Sequence, residues 1–355
     1  MSAAALRPAA SLALTRRRRP LGLAIGGAIA LLVILVLGVA AGSVAVAPGD
    51  TLGILASRIL GLDVPRTWSA AAETIVVELR LPRVLTAMVV GLGLAVAGAT
   101  FQGLLRNPLA DPYVLGTASG AALGAAIAVI LPVRTLVLEF GLLHGLAFAG
   151  ALAAVFVVYR LSRVGGLSPL TSLLLTGYAV GSLLAAGLAM AMYVSGAGLR
   201  QIFSYLLGGF DASSWLRLAT ATPLVLGASA FILVRARALN GLLLGEEAAA
   251  HLGVDVRRER AILLTLASLV TAAAVAVSGL IGFVGLVVPH VVRLLVGPNA
   301  RLVLPLSALF GASLMVVADL AARLLGEIPV GVVTAVVGAP FFLYLLRQAR
   351  SGYEL

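Results

Sequence analysis

Any chemistry in this sequence would have to come from fourteen carboxylates, three histidines and 25 arginines, because it contains neither Cys nor Lys. Without Cys there are no disulfides, thiolate metal sites or Cys nucleophiles. Without Lys there is no Gly-x-x-x-x-Gly-Lys-Ser/Thr phosphate loop, whose Lys reaches the terminal phosphates, and no Schiff-base amine. The chain is therefore not expected to hydrolyse ATP by itself. The His residues stand at 144, 251 and 290, scattered along the chain. No carboxylate pair, metal-ligand spacing or nucleophile elbow occurs. Asp319 is the one acid that falls inside an apolar stretch, and Arg323 follows four residues later on the same helix face. A local ion pair is the simplest reading of the two. Membrane enzymes and proton-coupled carriers mark themselves with buried ionisable groups, and the apolar stretches here are nearly empty of them.

The elements that carry these residues are membrane spans. The chain is 61% hydrophobic and 11% charged, with a mean hydropathy of +1.12, and that composition cannot cover a soluble exterior. Uncharged stretches run over 21–47, 84–105, 114–133, 140–159, 164–199, 218–234, 261–289, 302–318 and 328–346. About 20 apolar residues cross a bilayer. The first stretch is too long for a cleaved signal peptide, whose apolar core is about 7–15 residues. Ser195-Gly196-Ala197-Gly198 should end the fifth span. The stretch 261–289 is overlong, with glycine recurring through Ser278–Gly285, and predicts a break near Gly279–Gly282 followed by a short helix to about Val296. The count is about ten spans in an all-α protein.

Charge placement gives an orientation. With both termini in the cytoplasm, inside segments hold 17 Arg and six acids, and outside segments hold eight of each. The whole excess of +11 then sits on one side, as the positive-inside rule expects. That explains the basic balance better than nucleic-acid binding does. The expected organisation is a cytoplasmic tail over 1–20, a single permease-like membrane domain over 21–348 and a cytoplasmic tail over 349–355. Within the membrane domain, 48–83 is expected to be an outside loop with a helix at Thr51–Leu60. Residues 200–213, ended by Gly208-Gly209, read as a re-entrant helix, because broken backbone at membrane depth persists only inside protein or beside a cavity. An interfacial helix is the alternative. On the cytoplasmic side, 241–258 holds a short helix. Gly245 precedes it, Glu246 and Glu247 stand in its first turn where the helix dipole favours acids, and Gly253 ends it. It offers a knob to a partner or is a plain surface helix.

Several blocks resemble the permease subunits of ATP-binding-cassette importers for iron-siderophores, haem and cobalamin, the FecCD-type permease family. They are Arg80-Leu81-Pro82-Arg83, Gly98–Pro112 with Asn107-Pro108-Leu109-Ala110-Asp111-Pro112, Leu115–Ala121, Gly245–Ala249 with Leu252-Gly253-Val254, and Gly282–His290 with Arg293. Ala318-Asp319 with Arg323, and Pro329–Thr334 with Gly338-Ala339-Pro340, complete the set. Together they cover residues 80 to 340 in order.

The resemblance implies a homodimer of ten-helix chains in the inner membrane, with the substrate pathway between the subunits. It implies two ATPase subunits on the cytoplasmic face, which bind the ATP and magnesium, and a substrate-binding protein outside, periplasmic or lipid-anchored. No cofactor is bound by this chain, and no nucleic acid. Glu246, Glu247, Ala250, His251, Leu252 and Gly253 resemble the coupling helix that sits in a groove of the ATPase. Arg80, Arg83 and Arg323 resemble the outward cations that meet acids on the binding protein; snorkelling, or pairing with Glu78 or Asp319, is the alternative for them. Ser195, Gly196, Ser204, Leu207 and Gly208 are candidates to line or gate the pathway. Asn107, Pro108, Asp111, Pro112, Gly282, Gly285 and Pro289 read as helix-break residues with structural roles. The implied cargo is a metal chelate, iron-siderophore first and cobalamin or haem next. An ion-coupled secondary transporter is the rival reading, and an intramembrane enzyme the second.

Overall fold

The structure, a computed structural model, describes residues 7–42, 44–131, 141–162 and 169–351. The parts of the two expected tails beyond these limits lie outside the described residues. Among the described residues there is no strand. The elements are α1 (Arg7–Ala40), α2 (Pro48–Arg58), α3 (Ala70–Thr74), α4 (Leu81–Leu104), α5 (Thr117–Ile130), α6 (Gly141–Leu161), α7 (Pro169–Val194) and α8 (Leu199–Leu207), then α9 (Trp215–Val234), α10 (Ala236–Leu243), α11 (Glu246–His251), α12 (Val256–Ser278), α13 (Val284–Val296), α14 (Ala300–Leu324) and α15 (Val330–Ser351). Among the described residues, seven segments are long and apolar enough to cross a membrane, and three shorter apolar helices lie at Thr117–Ile130, Val284–Val296 and Val330–Tyr344. Their sum agrees with about ten spans. The chain is a multi-pass, all-helical membrane protein.

The glycines explain how such a bundle packs. Apolar side chains gain little by leaving lipid, so helices associate where small residues let backbones meet. α4 is the hub, packed on α14, α12, α13 and α9. At Gly98 it lies against the Gly285 carbonyl of α13, and at Gly91 against the Gly311 carbonyl of α14, with no room for a Cβ at either place.

Two boundaries differ from the sequence expectation. The outside loop does not extend to residue 83. Ser69 caps α3 through the Ala72 amide, and the helix runs on through a π turn at Ile75–Arg80 into α4. Glu73, Glu78, Arg80 and Arg83 depress the hydropathy of 70–83, which hides a helix whose apolar residues do pack. At the other end, α1 begins at Arg7, so most of the expected tail is helical. The predicted break holds: α12 ends at Ser278 and α13 starts at Val284. Gly279 (φ +67°) and Phe283 (φ +69°) turn the chain between them.

Candidate functional site

The end of α8 and the α12–α13 break meet. The Tyr205 hydroxyl donates to the Val275 carbonyl at 2.9 Å. The Gly209 amide donates to Ser278 O at 2.8 Å, the Leu280 amide to Tyr205 O at 3.2 Å, and the Gly331 amide of α15 to Gly208 O at 3.4 Å. Gly208 can do this because its φ of +65° is open to glycine and its α-carbon lies against the Leu280 carbonyl, where a Cβ would clash. These bonds satisfy backbone groups at the ends of α8 and α12 that would otherwise lack partners. Opposite, the Tyr113 hydroxyl donates to Ile281 O at 2.9 Å and accepts from the Ile281 amide at 3.2 Å. Of the residues read as helix-breaking, Asp111, Pro112 and Gly285 meet here. Pro112 abuts Gly285, and Asp111 accepts from the Tyr113 amide at 2.8 Å. Burial pushes the Asp111 carboxyl up to about 6, with that amide opposing the shift. Asn107 closes its own turn on the Leu109 amide at 2.9 Å. Pro289 lies inside α13, and Gly282 has open space around it.

A cavity of about 720 Å³ flanks α8. It is lined in part by Ser204, Tyr205, Gly208, Asp211 and Ser278. Of the pathway candidates it gathers Ser204 and Gly208. Ser195, Gly196 and Leu207 are not part of its wall. The Ser195 hydroxyl donates to Met192 O at 2.8 Å and helps end α7.

The three arginines expected to face outward do different work. The Arg80 guanidinium is buried and donates to the carbonyls of Val39 (3.1 Å), Ala40 (2.7 Å) and Val44. Arg323 is buried too and donates to Gly38 O and Ala41 O, each at 2.8 Å. Together they cap the C-terminal end of α1, where the last carbonyls lack partners and the helix dipole favours cations. Asp319, with no solvent exposure, holds Arg323 at 3.0 Å and Arg83 at 2.8 Å. Only Arg83 of the three continues toward the surface, where it meets Asp211 at 2.9 Å and Glu327 at 3.1 Å. So the structure contradicts the free, outward placement of Arg80 and Arg323. The reason is that α1 ends inside the protein and needs donors. Sequence reasoning saw Asp319 with Arg323 but missed Gly38–Ala41 as their neighbour, since no local pattern marks which helix end a distant guanidinium will cap.

At the opposite end of the bundle, α10 precedes α11 as a second short helix that the sequence reading did not separate. Ala249 is fully buried and anchors α11, while Glu247, Ala250, His251, Leu252 and Gly253 are exposed. Glu246 is tied to Arg260 at the start of α12, at 2.5 Å. Leu244 and Leu252 are 68% and 65% exposed. A groove of about 630 Å³ runs beside them, lined by Arg237, Asn240, Asp255, Arg258 and Arg301 among others. On α4, Gln102 donates to Leu286 O and accepts from Arg293, both at 3.0 Å, which ties the lower half of α4 to α13.

Comparison with known proteins gives this arrangement its context. The model of the FecCD transport family matches residues 30–348. A cobalamin import permease of Halobacterium salinarum is 47% identical over 302 residues, covering 85% of this chain and 80% of that protein. A hemin transport permease of Yersinia pestis is 44% identical over 284 residues, 78% of this chain and 84% of that one. Among solved structures, a metal-chelate type ABC transporter in an inward-facing conformation superposes with a TM-score of 0.79 at 31% identity, over 92% of this chain and 99% of that one. The chain belongs to the FecCD transport family and is a membrane permease of the ABC-importer type.

Proposed function

We propose that two copies of this chain form the translocation pathway for a metal chelate, driven by separate ATPase subunits and fed by a binding protein. The observation that carries this reading is the similarity along residues 30–348 to permeases of such importers. Within the chain, α11 supplies the coupling surface. It is a short helix anchored by Ala249 and tied through Glu246–Arg260 to α12, with Glu247, Ala250, His251 and Leu252 left open for a groove of the ATPase. The charge distribution supports a cytoplasmic position for that end and for both termini, in the inner membrane that an importer of this type would occupy. The exposed apolar residues of α7 (Tyr178, Leu183, Tyr193) and α15 (Val336, Val337) are the faces for the second subunit. Of Arg80, Arg83 and Arg323, Arg83 is the one that reaches toward the outer surface, where a binding protein would dock.

The relatives direct the choice of cargo. Those described above carry cobalamin and haem, and another at 40% identity is a ferric-citrate permease of Bacillus subtilis. A corrin or porphyrin chelate therefore comes first, ahead of the iron-siderophore expected from the sequence. An ion-coupled carrier needs a titratable group free at midplane, and Asp319 is held between two guanidinium groups.

The test is uptake into proteoliposomes. Cyanocobalamin, haemin and ferric citrate are offered to the chain alone and to the chain with its ATPase and each candidate binding protein. Accumulation of one chelate is expected only with ATP and both partners. Accumulation by the lone chain on a proton gradient would replace this reading with the secondary-transporter one.

A further inference from the structure

The Arg83 guanidinium has a fixed side and an exchangeable side. Its Nε donates to Asp319, which has no solvent exposure and sits on α14. Its Nη1 meets Asp211 at 2.9 Å and Glu327 at 3.1 Å, and those side chains are 67% and 41% exposed. A pair with a solvated carboxylate is held weakly and is screened by salt, whereas the pair with Asp319 is not.

The two exchangeable acids lie on the two segments joined by the Gly331–Gly208 hydrogen bond at the end of α8. Asp211 follows Gly208 and Gly209, whose backbone is bonded to Ser278 and to Gly331. Glu327 lies just before α15, the helix that supplies the Gly331 amide. Its own backbone is left-handed (φ +59°), a costly conformation for a residue with a side chain, at a position where the carboxylate reaches Arg83. One cation anchored on the α4–α14 pair thus pulls on both chain segments that frame the re-entrant helix.

We propose that Asp211 and Glu327 are positioning residues that, through Arg83, latch the end of α8 in the arrangement seen here. This rests on the reading of α8 as part of the pathway. Opening α8 requires the two acids to leave Arg83, and any competing carboxylate at the outer surface lowers the cost of that step. The latch predicts a gate whose local opening depends on salt, although the segment it holds is joined otherwise by backbone hydrogen bonds.

Hydrogen exchange of the full chain in lipid nanodiscs tests it without any partner. In Asp211→Asn with Glu327→Gln, amides of 205–214 should exchange roughly fivefold to tenfold faster, and those of α10 and α11 should not change. Asp211→Glu should restore most of the protection. Raising sodium chloride from about 0.05 M to about 0.5 M should accelerate exchange of 205–214 in the unmodified chain and leave the double variant unaffected. Unchanged exchange in the double variant, or the same salt response in both, overturns the latch. Neither result depends on ATP-driven uptake, so a failure of the transport reading would be seen separately, in the proteoliposomes.

Discussion

The two ends of this bundle carry their charges in opposite ways. At the end formed by 70–83 and 319–327, Arg80, Arg323 and Asp319 are buried and engaged with backbone carbonyls or with one another. At the end formed by 235–260, the acidic and imidazole groups of Glu247 and His251 stand in solvent on a helix that one buried alanine anchors. Both were expected from sequence to be contact surfaces. The difference lies in what each set replaces. The buried arginines stand in for water at the end of α1, so they are part of the fold. Of the exposed residues of α11, Glu246 pairs with Arg260, while Glu247, Ala250 and His251 face solvent and remain available. Charge type and spacing alone do not separate these cases; the neighbourhood of a helix terminus does.

The largest effect should come from breaking the buried set. Asp319→Asn keeps the shape and removes the charge, leaving Arg83 and Arg323 without their shared anion at a site with no exposure. Losing one partner of a buried pair costs about 3–5 kcal/mol. Thermal or denaturant unfolding in detergent should show that loss. A change below about 1 kcal/mol would mean the cluster is solvated and that the contrast between the two ends is false.

A smaller, pH-dependent effect belongs to the turn between α4 and α5. Asp111 is pushed up to about 6 by burial. Its charged form is thus disfavoured in the fold relative to the unfolded chain, so the cost is present above the folded value. It is relieved as pH falls through about 6 toward the ordinary carboxyl value of 3.8. The fold should gain on the order of 1–2 kcal/mol from this group between neutral pH and about pH 4. Asp111→Asn can still accept from the Tyr113 amide and should flatten that part of the stability–pH curve. An unaltered slope in the variant would place Asp111 in water.

Much of the architecture was legible beforehand because a bilayer makes it so. Apolar length alone finds most spans, and the glycine run at 279–285 located the α12–α13 break. The capped helix at Glu246–His251 was legible from Gly245, its two acids and Gly253. The helical stretch 70–80 was not, since Glu73, Glu78 and Arg80 mask it; Glu73 pairs with Arg58 and Arg66, and Arg80 donates to the carbonyls that end α1. The knot of Tyr113, Tyr205 and the broken backbone was also hidden. Nothing local to a tyrosine in an apolar run tells which distant carbonyl its hydroxyl will meet, and that partnership spans 168 residues for Tyr113 and 70 for Tyr205.

The smallest effect on stability should accompany the largest selective effect on transport, and it lies on α11. Leu252 is 65% exposed and His251 is exposed beside it. Exposed substitutions away from caps and cores shift stability by about 0.5 kcal/mol or less. Leu252→Asp or His251→Glu should therefore insert and melt as the unmodified chain does. If this surface transmits the motion of an ATPase, the same variants should bind it weakly and lose ATP-dependent uptake by at least tenfold, because a charge placed in an apolar groove costs desolvation without a partner. The control is Asp255→Asn, which alters the cap of α12 through Arg258 at 3.0 Å without touching the exposed face of α11. It should lower stability slightly and leave uptake near normal. Normal uptake with Leu252→Asp would show that α11, however open, is not where the two proteins meet, and the distinction drawn between the two ends would have to rest on packing alone.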